Sequence, residues 1–232
     1  MNKKYTTLLF DLDDTLLDFG KAEDNAITKI FERYGIPLTD ENKRRYVEFN
    51  RSLWKALERE EITREQLFAV RFTEFFRIMG VEADGVKANA EFISYIAGGS
   101  FLIDGALETC QKLHKLYKMY IITNGSQKAQ RGRLKDSPLT ECFDGIFISE
   151  EIGFVKPKKE FFDYVFAHID ERDKSKVLVI GDSLTSDIKG AADYGIDSCH
   201  VSAETCSCSE AAYHVSNISE LSDLLEGVDS KG

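Results

Sequence analysis

The sequence predicts an α/β fold: a parallel sheet with helices on both faces, interrupted after its first strand by an inserted bundle of four helices. Three observations predict it. From Ser100 onward, short apolar β-prone runs alternate with turns and helical segments, the rhythm of a parallel sheet wrapped by helices. Residues 20 to 97 show helical periodicity and no strand pattern. The apolar run "YTTLLFD", residues 5–11, has no helix partner of its own beside it, so it joins the later sheet and the helices become an insertion. The expected boundaries are 1–18 with 98–232 for the core and 19–97 for the inserted cap.

The elements follow in order. Ala22, Ala26, Ile30, Phe31 and Tyr34 recur at helical spacing up to Gly35, one apolar face of a first helix. Thr39 can cap a second, carrying Tyr46, Phe49, Leu53, Trp54 and Leu57. "TREQ" at 63–66 is a capping-box pattern opening a third through Phe68, Phe72, Phe75 and Phe76 to Gly80. Asp84 can open a fourth, ending before Gly98 and Gly99. The remaining strands are "YKMYIIT", "GIFIS", "KVLVIG", "SCHVS" and "AYHVS".

The 40 acidic and 30 basic residues of this 232-residue chain leave a formal charge of -10, which repels polyanions and argues against a nucleic-acid polymer or an anionic membrane as partner. No run approaches the roughly 18 apolar residues of a membrane span. The odd set Cys110, Cys142, Cys199, Cys206 and Cys208 has no secreted-domain spacing, so a reduced, cytoplasmic setting is expected. "CHVSAETCSC" with His214 lacks the paired spacing of a zinc site. A monomer or homodimer acting on a small molecule is expected.

Ligands of open parallel sheets bind beyond the carboxyl ends of the strands. There the first strand delivers Asp11 and Asp13, "MYIITNGS" delivers Thr123, Asn124 and Ser126, "FVKPKKEFF" delivers Lys156 with Pro157 at a first helical position, and "VLVIGDSLTSDIKGAADYG" delivers Asp182 and Asp187. Crowded carboxylates repel one another and resist desolvation, so a cation is the expected counterpart: Asp11, Asp13 and Asp182 supply the hard oxygens that suit Mg²⁺. Lys156 and a threonine hydroxyl can donate to a phosphoryl oxyanion. One carboxylate can attack phosphorus while a second moves the proton. Asp14 and Asp18 read as helix-start or surface acids.

This set resembles the haloacid dehalogenase (HAD) superfamily of phosphohydrolases, on "DLDDT", Thr123 in "IITNG", Lys156 in "KPK", and "GDSLTSD". The resemblance implies a HAD-like, Rossmann-like core beneath a helical cap. It implies Asp11 as nucleophile and Asp13 as general acid/base. Mg²⁺ would be held by Asp11, the Asp13 carbonyl and Asp182, with Asp187 orienting that site, and the phosphoryl group by Thr123, Asn124 and Lys156. "FNRSLW" at 49–54, "FDGIFISEEIGFVKPKKEFFDYV" and "VLVIGDSLTSDIKGA" resemble a narrower subgroup, the noncanonical pyrimidine 5'-nucleotidases. That implies a nucleoside monophosphate such as UMP or dTMP, or a noncanonical analogue. Asn50 and Trp54 lie four apart on one helix face; Trp54 is either bundle core or a wall facing the base, with Asn50 as its hydrogen-bonding edge.

Four other readings share parts of this pattern. Haloacid dehalogenation needs neither a metal nor an acid two residues past the nucleophile, so Asp13 and Asp182 count against it. A phosphomutase, or a phosphatase of small sugar or acid phosphates such as phosphoglycolate, would keep every core residue and differ only in the cap. A signalling receiver domain shares the Asp, Thr and Lys but is much shorter and has no inserted bundle.

Overall fold

The structure, a computed structural model, describes residues 4–135, 137–204 and 210–229. Six parallel strands form one sheet: β1 (Thr7–Phe10), β2 (Lys118–Thr123), β3 (Gly145–Ile148), β4 (Val177–Gly181), β5 (Asp197–Val201) and β6 (Tyr213–Val215), in the order β3-β2-β1-β4-β5-β6. Each expected strand is present. β1 lies between β2 and β4, with Phe10 in register with Ile121 and Ile180.

Covered on both faces, β1 is apolar throughout, as strands of parallel sheets are. Its side chains alternate between two cores. Leu8 and Phe10 join Met119, Ile121 and Ile180 on one face, under α5 (Ala106–Leu113) and α10 (Leu221–Asp229). Leu9 joins Ile122 and Val179 on the other, under α8 (Lys159–His168) and α9 (Lys189–Tyr194). Two shorter segments complete the core: α6 (Gln127–Lys135) follows β2 and α7 (Ser149–Ile152) follows β3.

The insertion is four helices: α1 (Phe19–Tyr34), α2 (Asp40–Glu58), α3 (Arg64–Met79) and α4 (Gly85–Ala97). Asp18, Thr39, Thr63 and Asp84 cap them, and Thr63 with Gln66 closes the expected capping box. The bundle has its own core, built on Ile30, Phe31, Tyr46, Phe72, Phe75 and Phe92. Phe75 stacks on Phe31 at 5.8 Å and meets Tyr46 edge-on at 5.2 Å. Truncating a phenylalanine packed this way typically costs about 3–5 kcal/mol, so the bundle is a body of its own rather than a loose excursion.

The two chain connections to the bundle run side by side: the Asp18 amide donates to the Phe101 carbonyl at 2.8 Å and the Ile103 amide to the Leu16 carbonyl at 3.0 Å. They leave and re-enter at the carboxyl edge of the sheet, which sets the bundle over that edge. Among the described residues no helix is long and apolar enough to cross a membrane. Cys110, Cys142 and Cys199 are buried free thiols; Cys206 and Cys208 lie outside the described residues.

Candidate active site

β1 ends at Phe10, and the Asp11 amide extends the pairing by one bond to the Ile180 carbonyl at 2.8 Å. The Asp11 carboxylate therefore stands at the sheet edge, buried and fixed. Lys156 reaches it from the segment before α8. Its ammonium donates to Asp11 Oδ1 at 2.6 Å, Asp187 Oδ1 at 2.6 Å and the Ile122 carbonyl at 2.9 Å, which uses all three of its protons.

Asn124 sets Lys156 in place, accepting from its amide at 2.8 Å and donating to its carbonyl at 2.9 Å. Both ends of the Asn124 side chain, expected to hold the phosphoryl group, are thus engaged with the lysine backbone. Pro157 does not open a helix as its sequence position suggested. The Lys156–Pro157 peptide is cis, Lys158 is the N-cap, and α8 starts at Lys159.

Asp182 follows β4, and Asp187 sits in a π-helical turn over Leu184–Ile188. Asp187 is wholly buried, and its Oδ2 accepts from the Ser183 amide at 3.2 Å. A Cβ at Gly181 would lie 2.3 Å from that oxygen, so only glycine admits the carboxylate there. The Asp182 carbonyl accepts from His200 Nε2 at 3.0 Å, and its Oδ1 accepts from the Thr15 hydroxyl at 3.4 Å.

Asp11, Asp182 and Asp187 each offer an oxygen within 4.8 Å of the others. Burial pushes the Asp11 carboxyl well above the usual range; Lys156 opposes this, and Asp187, Asp182 and Asp13 add to it. Burial, then Asp187 and Asp14, push Asp182 up to about 7. Lys156 stays above its ordinary value despite its burial, because Asp11 and Asp187 outweigh desolvation. Three carboxylates face one ammonium, all the donors are hard oxygens, and a small divalent cation fits that set.

Asp13 belongs to a different group. Its carboxylate pairs with the Arg133 guanidinium and accepts from Gln130 Nε2 at 2.7 Å. The same Gln130 nitrogen donates to Thr123 Oγ1 at 2.7 Å, and the Gly125 amide donates to that oxygen at 3.2 Å. With both acceptor positions of the hydroxyl taken, its proton is what Thr123 has left to offer a ligand. A Cβ at Gly125 would lie 2.3 Å from Gln130 Nε2, so this glycine makes room for the bridging amide.

Gln130 and Arg133 were not singled out from the sequence. Their signal was a three-residue spacing on α6, one helix face shared by both. Arg133 also donates to the Gly99 carbonyl at 3.2 Å, tying Asp13 to the chain where it returns from the bundle.

The bundle roofs a cavity of about 260 Å³ over these groups, with Trp54, Phe68, Arg71 and Ile96 above and Asp11, Thr123 and Lys156 below. Its turn between α2 and α3 grips the core. Arg64 donates to the Asn124 carbonyl at 3.1 Å and the Ser149 hydroxyl at 2.5 Å, Thr185 donates to Glu58 at 3.0 Å, and Glu60 pairs with Lys158. Asp18 caps α1 as expected, whereas Asp14 lies at the cavity with φ +56° and accepts from the Phe19 amide at 3.0 Å.

Of the two cap residues expected to face a base, Trp54 borders the cavity. Asn50 does not: it is 2 % exposed, donates to Glu23 Oε1 at 2.6 Å and receives Arg71 Nη1 at 3.5 Å. Arg71 borders the cavity in its place. The sequence signal for Arg71 was a charge within the apolar stripe of α3, three residues after Phe68 and four before Phe75.

A family model described as haloacid dehalogenase-like hydrolase matches residues 5–195, from β1 through α9. The chain belongs to this family. Within the HAD-like hydrolases, it is 44% identical over 197 residues to HAD-hydrolase YfnB of Bacillus subtilis, covering 85% of this chain and 84% of that protein. It is 36% identical to pyrimidine 5'-nucleotidase PynA of Streptococcus pneumoniae, covering 96% and 95%, and 32% identical to pyrimidine 5'-nucleotidase YjjG of Escherichia coli, covering 96% and 98%. The crystal structure of YfnB bound to magnesium, described as revealing interdomain movement, superposes with a TM-score of 0.90 at 40% identity over 96% of this chain and 99% of that one. The resemblance to the pyrimidine nucleotidase subgroup thus extends over nearly the whole chain, bundle included.

Proposed function

We propose that this HAD-like hydrolase is a Mg²⁺-dependent phosphomonoesterase acting through an aspartyl-phosphate on Asp11, and that its substrates are pyrimidine nucleoside 5'-monophosphates. The observation that carries the chemistry is the buried Asp11–Lys156–Asp187 chain with Asp182 beside it, placed below a roofed cavity. The substrate class rests on the two nucleotidase relatives, which span the cap as well as the core. The division into a core of 1–18 with 98–232 and a cap of 19–97, and a cytoplasmic setting, are parts of the same reading.

In this mechanism Asp11 attacks phosphorus through the carboxylate oxygen that Lys156 does not hold. The bond from phosphorus to the ester oxygen breaks, and Asp13 gives that oxygen its proton, so the nucleoside leaves as an alcohol. Asp13 then takes a proton from water as the water oxygen attacks phosphorus, the Asp11–phosphorus bond breaks, and inorganic phosphate is released. The Thr123 hydroxyl holds a transferring oxygen, and Lys156 joins it with the proton it had given Asp11, released as that carboxylate loses its charge to the aspartyl-phosphate. Mg²⁺ held by Asp11, the Asp13 carbonyl and Asp182, with Asp187 orienting them, would supply the remaining charge neutralisation.

The experiment is kcat/KM for UMP, dTMP, CMP, AMP, GMP and phosphoglycolate with Mg²⁺. UMP and dTMP are expected to lead. AMP or phosphoglycolate in front would overturn the nucleotidase reading and leave a general phosphatase.

A further inference from the structure

We propose that Arg71 reads the leaving group, its guanidinium donating to the 4-carbonyl oxygen of the pyrimidine ring, with Asn50 and Glu23 behind it as its positioning residues. The inference rests on the nucleotidase reading and goes beyond it by naming the recognising group and the ring edge it selects.

Arg71 lies on α3, is 3 % exposed and borders the cavity above Asp11. Its charge meets no carboxylate directly: among the described residues it forms no salt bridge, and its Nε has no hydrogen-bond partner. One arm reaches Asn50 Oδ1 at 3.5 Å, and Asn50 passes the contact to Glu23 through a 2.6 Å bond. The guanidinium sits 5.4 Å from the centre of the Phe68 ring and 5.0 Å from that of Phe92, contacts that fix its plane.

A desolvated cation whose nearest anion is one residue removed is expensive to keep, and apolar packing alone would be served better by leucine or methionine. An acceptor entering the cavity offsets that cost. Trp54 and Phe68, which share the roof, supply flat apolar walls suited to an aromatic ring.

Arginine donates and never accepts. The uracil and thymine rings carry a carbonyl oxygen at the position where cytosine carries an amino group, itself a donor. An arginine aimed at that position accepts the first two and leaves a donor facing a donor with the third. Discrimination by an unpaired buried polar group is far stronger than discrimination by size.

Two measurements test this. The first uses the unaltered enzyme: uridine and cytidine compete against hydrolysis of p-nitrophenyl phosphate, which has no base. Uridine is expected to inhibit at least ~10-fold more tightly than cytidine, a modest demand for a hydrogen-bonded edge; equal inhibition overturns the proposal, whatever the ranking of UMP against AMP. The second compares UMP and CMP for Arg71→Met and Arg71→Lys. In Arg71→Met the UMP-to-CMP ratio of kcat/KM is expected to fall at least ~10-fold, mostly through KM, and by more than the value for p-nitrophenyl phosphate falls. Arg71→Lys, still a pure donor, is expected to keep UMP ahead. An unchanged ratio in Arg71→Met overturns the assignment of Arg71 while leaving the nucleotidase reading intact. A wild-type preference for AMP or phosphoglycolate overturns both. If Arg71→Met does not fold, the competition experiment alone decides.

Discussion

Glu23 allows the buried polar unit in the cap to be tested by pH alone. It lies on α1, and its carboxylate receives the Asn50 amide. Burial pushes it up to about 7; the Asn50 bond and the Arg71 charge pull the other way, Asp14 adds to the rise and Arg51 opposes it. An acid whose value is raised in the folded state holds its proton after the unfolded chain has lost it. Stability from Glu23 is therefore complete below pH 4.5 and drains away as the pH climbs to about 7. At about 1.36 kcal/mol for each pH unit of that interval, the loss is about 3 kcal/mol. The experiment is urea unfolding of wild type and Glu23→Gln at steps from pH 4 to 8, followed by the fluorescence of Trp54, the single tryptophan, which sits on α2 in the same bundle. Glutamine keeps the shape and does not titrate, so whatever else it changes offsets the two curves by a constant and the slope of their difference isolates the Glu23 titration. Wild type is expected to lose about 3 kcal/mol relative to the variant across the range. A difference that stays flat to within about 0.5 kcal/mol, the scale of ordinary surface substitutions, would refute the buried-carboxylate argument.

Three further outcomes follow from the core. Chelation is expected to abolish phosphatase turnover and added Mg²⁺ to restore it, since Asp11, Asp182 and Asp187 crowd their oxygens within 4.8 Å; full activity in chelator contradicts the metal role. Asp11→Asn should show no measurable turnover, and Asp13→Asn a loss of roughly 10² to 10⁴ in kcat; near-normal kcat in Asp11→Asn would mean a different nucleophile. Arg133→Lys keeps the charge but loses the fork that grips Asp13 and the Gly99 carbonyl together. Its kcat is expected to fall about 10- to 100-fold with KM nearly unchanged, because a small displacement of a reacting group is costly; a change confined to KM would contradict a positioning role.

What the sequence revealed follows the range of each interaction. The capping box of Thr63 and Gln66, the caps at Asp18, Thr39 and Asp84, and the six strands depend on residues a few positions apart, so local pattern sufficed. The site residues were legible for another reason: a parallel sheet gathers its strand ends at one edge, so polar residues just past apolar runs converge whatever their separation. Lys156 meets Asp11 across 145 positions for that reason.

What stayed hidden depends on rotation about a helix axis. Spacing shows that Asn50 and Trp54 share a face, but not that this face straddles a boundary, with Trp54 on the cavity and Asn50 turned inward to Glu23. Arg71 was concealed by its neighbours, since a stripe of four phenylalanines reads as core and a single charge within it reads as an interruption. That interruption carries information of its own. A guanidinium held at 3 % exposure in an apolar stripe must be balanced by something, and Asn50 with Glu23 supplies only part of the balance from behind. The other side of Arg71 borders the cavity over Asp11, and on that position rests the proposed contact with the substrate's ring.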